Sequence, residues 1–413
     1  MPPSKRIVIL GGGVGGVVAA NELARRLPRS HRIFLVERSG THAFAPSFLW
    51  LMTGDRETPQ ITRPLRTLVR PGVEIVEAEA RAIDLAGARV ETDGEAIAYD
   101  YLVVALGAEL APGAIPGLGT AHTFYTLDGA AELRAALGSF TGGTVAVVVS
   151  ALPYKCPGAP HEGAMLLRDF FRRRGLSSKV EIHLFTPEPQ PMPVAGPELG
   201  AAVREMLETR DIAFHPSHKL AAADPDTREL AFEGKPSVRY DLLVAIPPHR
   251  SPRLVQEAGL ASETGWVPVD RRTLATRHER VYAIGDVTAI PIPGRWKTEV
   301  PLMLPKAGVF AHGHALVVAR RIAAEIAGTG TEEQFGGDGY CALEAGEGSA
   351  GFAFGDFFGE PSPEIHLRRV GKAWHVGKVL FERWWLSPFG LGRSGLSLAL
   401  RLGGKAFGVP VVL

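Results

Sequence analysis

The turn Gly11-Gly-Gly13-Val-Gly-Gly16 sits between an apolar run and a helix-forming stretch, and it fixes what the first forty residues can fold into. Residues 6–10 read as a short β-branched strand, residues 17–27 as a helix, and residues 32–36 as a second strand ending at Glu37. In that order they form a βαβ unit. Gly11 permits the tight turn, Gly13 lets a diphosphate approach the backbone, and Gly16 lets helix and strand pack closely. The helix N-terminus then faces the diphosphate. Glu37 is placed to accept hydrogen bonds from ribose hydroxyls. The pattern predicts a dinucleotide-binding domain.

Later segments say which dinucleotide. The strand Val281-Tyr-Ala-Ile-Gly285-Asp286 delivers one carboxylate beside a glycine, far from the first turn. In FAD enzymes with two dinucleotide-binding domains an Asp so placed reaches the ribityl chain and diphosphate. The likeness implies that role for Asp286, and FAD, too long for one loop, makes a second distant contact reasonable. Leu304-Pro-Lys306-Ala-Gly308 opens a long helix to about Ala327, and Pro305 suits that entry. The helix start and the Lys306 charge both suit the negative charge of a reduced flavin. A user of NAD(P)H would carry a second glycine loop after the strand Thr144–Val149. Here no glycine occurs between Thr144 and Cys156, and Pro153 stiffens the turn. NAD(P)H is therefore not the expected electron source. The loop presents Cys156 instead, after Lys155 and shortly before an expected helix over 162–174. A cation and a helix N-terminus both lower a thiol pKa, so a reactive thiolate is expected.

Only two cysteines occur in 413 residues, Cys156 and Cys341. That excludes a disulfide scaffold, a Cys₄ zinc site and a cysteine-ligated cluster. His312 and His314 are spaced i, i+2 and share no helix face, so no metal site is expected. Arg172-Arg-Arg174 complements the C-terminal end of its helix. The net charge of +1, from 45 basic and 44 acidic residues, gives no global attraction to nucleic acid. No apolar window reaches about 18 residues, and the segment from Met1 to Arg6 does not open a secretory signal. The segments Tyr99–Gly107 and Tyr240–Ile246 share a shape, which suggests two halves on similar plans. Beyond residue 331 the composition shifts to Gly, Phe and Trp. After Glu382 there is no acid, while Arg383, Arg393, Arg401 and Lys405 interleave with tryptophans and leucines around a turn expected at 390–395. Such a tail suits a membrane interface.

At Pro153-Tyr-Lys-Cys156-Pro-Gly-Ala-Pro-His-Glu162, Gly339-Tyr-Cys341-Ala-Leu-Glu344 and Gly351-Phe-Ala-Phe-Gly355-Asp-Phe357 the sequence resembles the sulfide:quinone oxidoreductases. Leu304–Phe310, Lys378–Leu386 and Pro46-Ser47 with Trp50 also look like segments of that family, and the likeness spans nearly the whole chain. The resemblance implies an α/β fold of two Rossmann-like dinucleotide-binding domains plus a C-terminal α+β membrane-associating unit. The expected domains are 1–110 with 247–330, then 111–246, then 331–413. It implies FAD on Gly11, Gly13, Gly16, Glu37, Arg38, Ser47, Ala80, Gly107, Gly285, Asp286, Lys306, Ala307 and Gly308. No cysteine lies near the N-terminus, unlike the similar flavoprotein subunit of flavocytochrome c sulfide dehydrogenase, so the FAD is expected to be non-covalent.

The implied reaction has sulfide attack a Cys156–Cys341 disulfide or its sulfur-extended form. Cys341 would stand on the flavin side and Cys156 on the sulfur-carrying side, although the family offers both arrangements. Lys306 would stabilise the reduced flavin, and Glu162 and His161 would move protons. Membrane quinone would be sandwiched by Phe352, Phe354, Phe381 and Trp384 or Trp385. Three departures stand out. Tyr125 occupies the place of a third family cysteine, Gly129 that of a histidine, and a second histidine expected near 190–196 is missing. Two other readings stay open: an NAD(P)H:quinone reductase, disfavoured by the missing second glycine loop, and a flavin-bound sulfur carrier or redox sensor with little turnover, which the missing histidines keep open. The implied partners are sulfide, membrane quinone and a membrane surface met through residues 383–407, with no nucleic acid. A homo-oligomer is left open. The expected place is peripheral and monotopic, on the cytoplasmic membrane face, with no signal peptide.

Overall fold

The computed structural model describes residues 4–297, 300–409, 411 and 413. The remaining residues of the expected first and last domains, 1–3, 298–299, 410 and 412, lie outside the described residues. Two parallel sheets and one antiparallel sheet organise the chain. The first runs in the order Val281–Ala283, Tyr101–Val104, Arg6–Leu10, Arg32–Glu37, Val73–Glu77, all parallel. Ile7, Val8, Ile9 and Leu10 are all fully buried, as a central parallel strand covered on both faces must be. The helices Val14–Arg26 and Gly308–Ala327 pack together on one of those faces. The second sheet runs Ile212–His215, Val180–Phe185, Gly143–Val149, Leu242–Ile246, again parallel. The fold class is α/β, as the sequence predicts.

The chain ends in a three-stranded antiparallel sheet, Asp338–Gly346, Ser349–Asp356 and Glu364–Gly371. Two helices follow, Lys372–Trp385 and Leu391–Phe407. Trp384, Trp385, Leu386 and Leu400 join the core that holds Phe44, Leu65 and Leu68 of the first unit. The last two helices thereby contribute side chains to the first core. Among the described residues no helix is long and apolar enough to cross a membrane.

Three helix boundaries differ from expectation. The first helix begins at Val14, not Val17, so Gly15 and Gly16 lie inside it. Gly16 is kept there because a Cβ would meet the Gly11 carbonyl oxygen at 1.8 Å, which outweighs glycine's weak helix propensity. The cysteine-loop helix is Ala159–Arg173 and takes in Pro160, because proline lacks only an N–H that the first turn leaves free. In the tail, Gly392 and Gly395 sit within Leu391–Phe407, and the turn falls at 386–390.

Candidate active site

A cavity of about 1490 Å³ is lined by residues from the first and the antiparallel sheets, from the loop after Gly143–Val149 and from the last two helices. Its first end is the glycine turn. Gly11 has φ +100°, and a Cβ there would lie 2.5 Å from the Ala105 carbonyl oxygen. A Cβ on Gly16 would stand 1.8 Å from the Gly11 carbonyl oxygen, so strand and helix are locked together by its absence. Gly13 faces open space, and no side chain caps the helix behind it. The first-turn N–H groups are left for a ligand. Glu37 accepts from the Gly12 N–H at 2.6 Å and also lines the cavity, with Arg38, Ala80, Gly107, Gly285, Ala307 and Gly308.

Asp286 closes this end. Its Oδ1 is buried with no hydrogen-bond partner, and burial raises its pKa. An orphaned acceptor on the wall, a cradle that a Cβ would fill and an uncapped helix start fit a bound dinucleotide. Two expected contacts have partners within the protein, although Lys306 still lines the cavity. The Ser47 hydroxyl donates to Glu382 at 2.5 Å, and Arg56 holds the other oxygen of that carboxylate at 2.8 Å. Ser47 therefore anchors the C-terminal helix and does not line the cavity. The Lys306 ammonium donates to the carbonyls of Asp286 (2.7 Å) and Thr288 (3.0 Å) and lies 3.4 Å from the Trp266 ring centroid. Burial lowers its pKa to about 8.

The two cysteines open onto the middle of the cavity. Cys156 sits at φ +86°, a strained left-handed geometry for a non-glycine residue, and its N–H donates to the Lys306 carbonyl at 2.6 Å. Cys341 lies on Asp338–Gly346. Its sulfur would be 3.6 Å from a Cβ built on Gly158, two residues past Cys156. Both are free thiols. The expected thiolate is corrected here. Burial, then the Glu162 carboxylate, pushes Cys156 up to about 12 and Cys341 well above its ordinary value. Lys155, offered by the sequence as the activating cation, is half-buried and lies 6.0 Å from the Tyr125 ring centroid, and desolvation lowers its own pKa.

Lys378 is the cation with the largest downward pull on both thiols. Its ammonium donates to Glu162 Oε2 and, at 3.1 Å, to the Ala342 carbonyl. The Glu344 N–H also donates to Glu162 Oε2, at 3.0 Å, so this carboxylate ties the cysteine helix to the cysteine strand. Sequence reading quoted Lys378 without giving it a role. Trp374, Lys378, Phe381 and Trp385 recur at spacings of four, three and four on Lys372–Trp385, and all four line the cavity. That helical stripe was the available signal.

His161 is one residue from Glu162 and about 100° around the helix. Its Nδ1 meets the Pro157 carbonyl oxygen at 3.1 Å, its Nε2 is buried without a partner, and burial lowers its pKa to about 4. It does not line the cavity, so the proton-transfer role expected of it is not supported by its placement. Tyr125, at the missing cysteine position, does line it.

The far end is aromatic. Phe352 stacks on Trp374 with centroids 4.9 Å apart, and Phe407 tilts on Trp374 at 5.3 Å. Phe354 tilts on Phe352 at 6.0 Å, whereas Phe381 and Trp385, which also line the cavity, each lie 6.1 Å from the Phe44 ring. Trp384 does not line it: its indole N–H donates to Ser397 at 2.8 Å between the last two helices. Trp385 lies next in sequence but points to the other side, donating to His42 Nε2 at 2.9 Å. His42 Nδ1 in turn meets the Gly12 carbonyl oxygen at 2.9 Å. One ring thus joins the glycine turn to the C-terminal helix.

Removing the Glu162 charge should ease thiolate formation, because that carboxylate raises both thiols. We expect Glu162→Gln to alkylate with iodoacetamide about tenfold faster at pH 8 than the parent. Equal or slower alkylation across pH 7–10, measured by mass spectrometry of the two cysteine peptides, would contradict this electrostatic assignment.

The family model for pyridine nucleotide-disulphide oxidoreductases matches residues 5–307. A sulfide-quinone reductase of Aquifex aeolicus (strain VF5) is 28% identical over 396 residues, covering 93% of this chain and 90% of that protein. The mitochondrial sulfide:quinone oxidoreductase of Mus musculus is 28% identical over 304 residues, 69% of this chain, and the match spans 66% of the mouse protein's own length. The solved structure of the Aquifex aeolicus sulfide:quinone oxidoreductase superposes with a TM-score of 0.83 at 26% identity, covering 98% of this chain and 94% of that one. The family and these relatives imply a flavin cofactor, and the dinucleotide end of the cavity is built to suit one.

Proposed function

Because the chain belongs to the pyridine nucleotide-disulphide oxidoreductase family, we propose that this oxidoreductase oxidises sulfide at Cys156 and Cys341 and passes the electrons through non-covalent FAD to membrane quinone. The carrying observation is that one cavity joins the glycine turn and Asp286 to both cysteines and then to an aromatic end. A bound flavin supplies two-electron transfer between a dithiol and a quinone. The chain's residues supply the rest. HS⁻ attacks one sulfur of a Cys156–Cys341 disulfide. That S–S bond breaks, a new one forms to give a cysteine persulfide, and the other cysteine leaves as thiolate with the electron pair. A second HS⁻ takes the outer sulfur as polysulfide, and the dithiol closes again by giving up two electrons.

We assign Cys156 to the sulfur-carrying side and Cys341 to the flavin side. Lys378 and Glu162 hold charge and proton beside the departing thiolate. Phe352, Phe354, Phe381 and Trp385 form the wall against which a quinone ring would lie, and Lys306 keeps a buried cation at the Asp286 strand end. The tail supports docking at a membrane. Leu391, Leu398, Leu402 and Phe407 are each more than half exposed on one helix that carries no acid.

Anaerobic titration distinguishes this reading from an NAD(P)H:quinone reductase. Sulfide should bleach the flavin absorbance near 450 nm, NADH should not, and added quinone should restore the colour. Bleaching by NADH with none by sulfide would reject the proposal. Bleaching by sulfide that quinone cannot reverse would leave a sulfur carrier.

A further inference from the structure

Two stretches from opposite ends of the chain meet beside the tail, and both are basic without a single acid. Residues 58–73 hold three arginines, and residues 383–413 hold three arginines and a lysine. The Arg63 Nε–H donates to the Leu386 carbonyl at 3.2 Å, which fixes one stretch on the other. The guanidinium carbons of Arg70 and Arg393 each lie 4.5 Å from the Phe389 ring centroid, and that of Arg393 lies 4.8 Å from Trp384. Among the described residues none of the basic groups in these stretches enters an ion pair. The Arg70 guanidinium has no hydrogen-bond acceptor among them, and Arg393 has only the Ser387 carbonyl, at 2.9 Å. A guanidinium carries five donors, so most remain unspent.

Like charges held together without acids are costly unless an anion joins them. Burial, and then Arg70, pushes the Arg393 pKa down to about 10. Leu391 stands 93% exposed between Phe389 and Arg393. A planar donor fork suits phosphate oxygens, and an exposed leucine beside it suits acyl chain, not a nucleic-acid base.

We propose that Arg70 and Arg393, clasping Phe389, form a site for the headgroup phosphate of an anionic phospholipid, with the 58–73 segment serving as a second membrane-facing edge beside the C-terminal helix. The proposal rests on the tail's docking at a membrane and adds the lipid class and the segment from the first unit. Anionic headgroups then hold the aromatic end of the cavity toward the bilayer.

Vesicle flotation of the flavin-loaded protein tests it, using phosphatidylcholine alone and phosphatidylcholine with a fifth of phosphatidylglycerol. The parent should partition more strongly onto the anionic vesicles. R70A/R393A should lose about thirtyfold of that partition, from the usual contribution of each basic residue at an anionic surface, and keep its binding to neutral vesicles. R66A, a change at an exposed arginine, should lose about fivefold. K235A, an exposed lysine in the turn after the strand Glu229–Phe232, should lose none. Parent binding to both vesicles equally, or unchanged anionic binding by R70A/R393A and R66A, overturns the inference and leaves membrane docking standing. Parent binding to neither vesicle overturns both.

Discussion

Cys156→Ser will stay yellow under sulfide. With the nucleophilic thiol gone, the rate of anaerobic bleaching should fall on the order of a thousandfold or more, with flavin content and melting temperature unchanged. Cys341→Ser should lose as much, and the double variant no more than either. Groups that act as one unit fail together, so their losses do not add. The geometry motivates this: both thiols open onto one cavity, and Cys341 lies over Gly158 in the turn that carries Cys156. Stopped-flow traces at 450 nm decide it. Cys156→Ser bleaching at the parent rate would end the cysteine-pair mechanism. Additive losses would mean that the two thiols work on separate steps.

Gly16→Ala and Gly13→Ala differ by one methyl group on the same turn and should behave as opposites in folding. A methyl at 16 would overlap the Gly11 carbonyl oxygen, so backbone must move in the tightest part of the βαβ unit. That variant should purify with less than about a tenth of the parent's flavin and melt lower, because strand and helix can no longer close. Gly13 faces open space. Its methyl should leave the apoprotein's melting unchanged and weaken only flavin retention, by standing where a diphosphate would approach. The ratio of absorbance at 450 to 280 nm, with a melting curve for each apoprotein, reads both effects. Full flavin in Gly16→Ala would refute the packing argument. Full flavin in Gly13→Ala would refute the diphosphate position.

The contact that reserves Gly11 is with Ala105, just past a neighbouring strand, and is not visible in the local pattern. The glycine turn was legible where its constraint is local, as at Gly16 against the Gly11 carbonyl. Asp286 was legible for a similar reason, as an acid at the end of an apolar strand. The cysteine region was only half legible. Spacing brought out Cys156 and the resemblance brought out Cys341, but burial decides thiol chemistry, and burial depends on which sheets close over the loop. Lys155 and Lys378 show the difference. Lys155 is adjacent in sequence and turned toward Tyr125, while Lys378 is 222 residues away and pulls on both sulfurs. The aromatic wall was misread at Trp384 because composition does not carry rotation about a helix axis. The spacing of Trp374, Lys378, Phe381 and Trp385 does carry it. Ser47 was lost to Glu382, a partner 335 residues on that no local pattern names.

The hydrogen bonds from the His42 ring to Gly12 and Trp385 span the chain almost from end to end. Protein is made from the N-terminus, and domains generally fold in that order. Here the first sheet gains an edge strand only when residues 281–283 emerge, and the wall opposite the glycine turn arrives only with Lys372–Trp385. A nascent chain at residue 300 has the turn but not the enclosure. The enclosure around the glycine turn is therefore finished only after residues 372–385 emerge, so a chain that has made the turn alone has not yet built the pocket into which a dinucleotide would load.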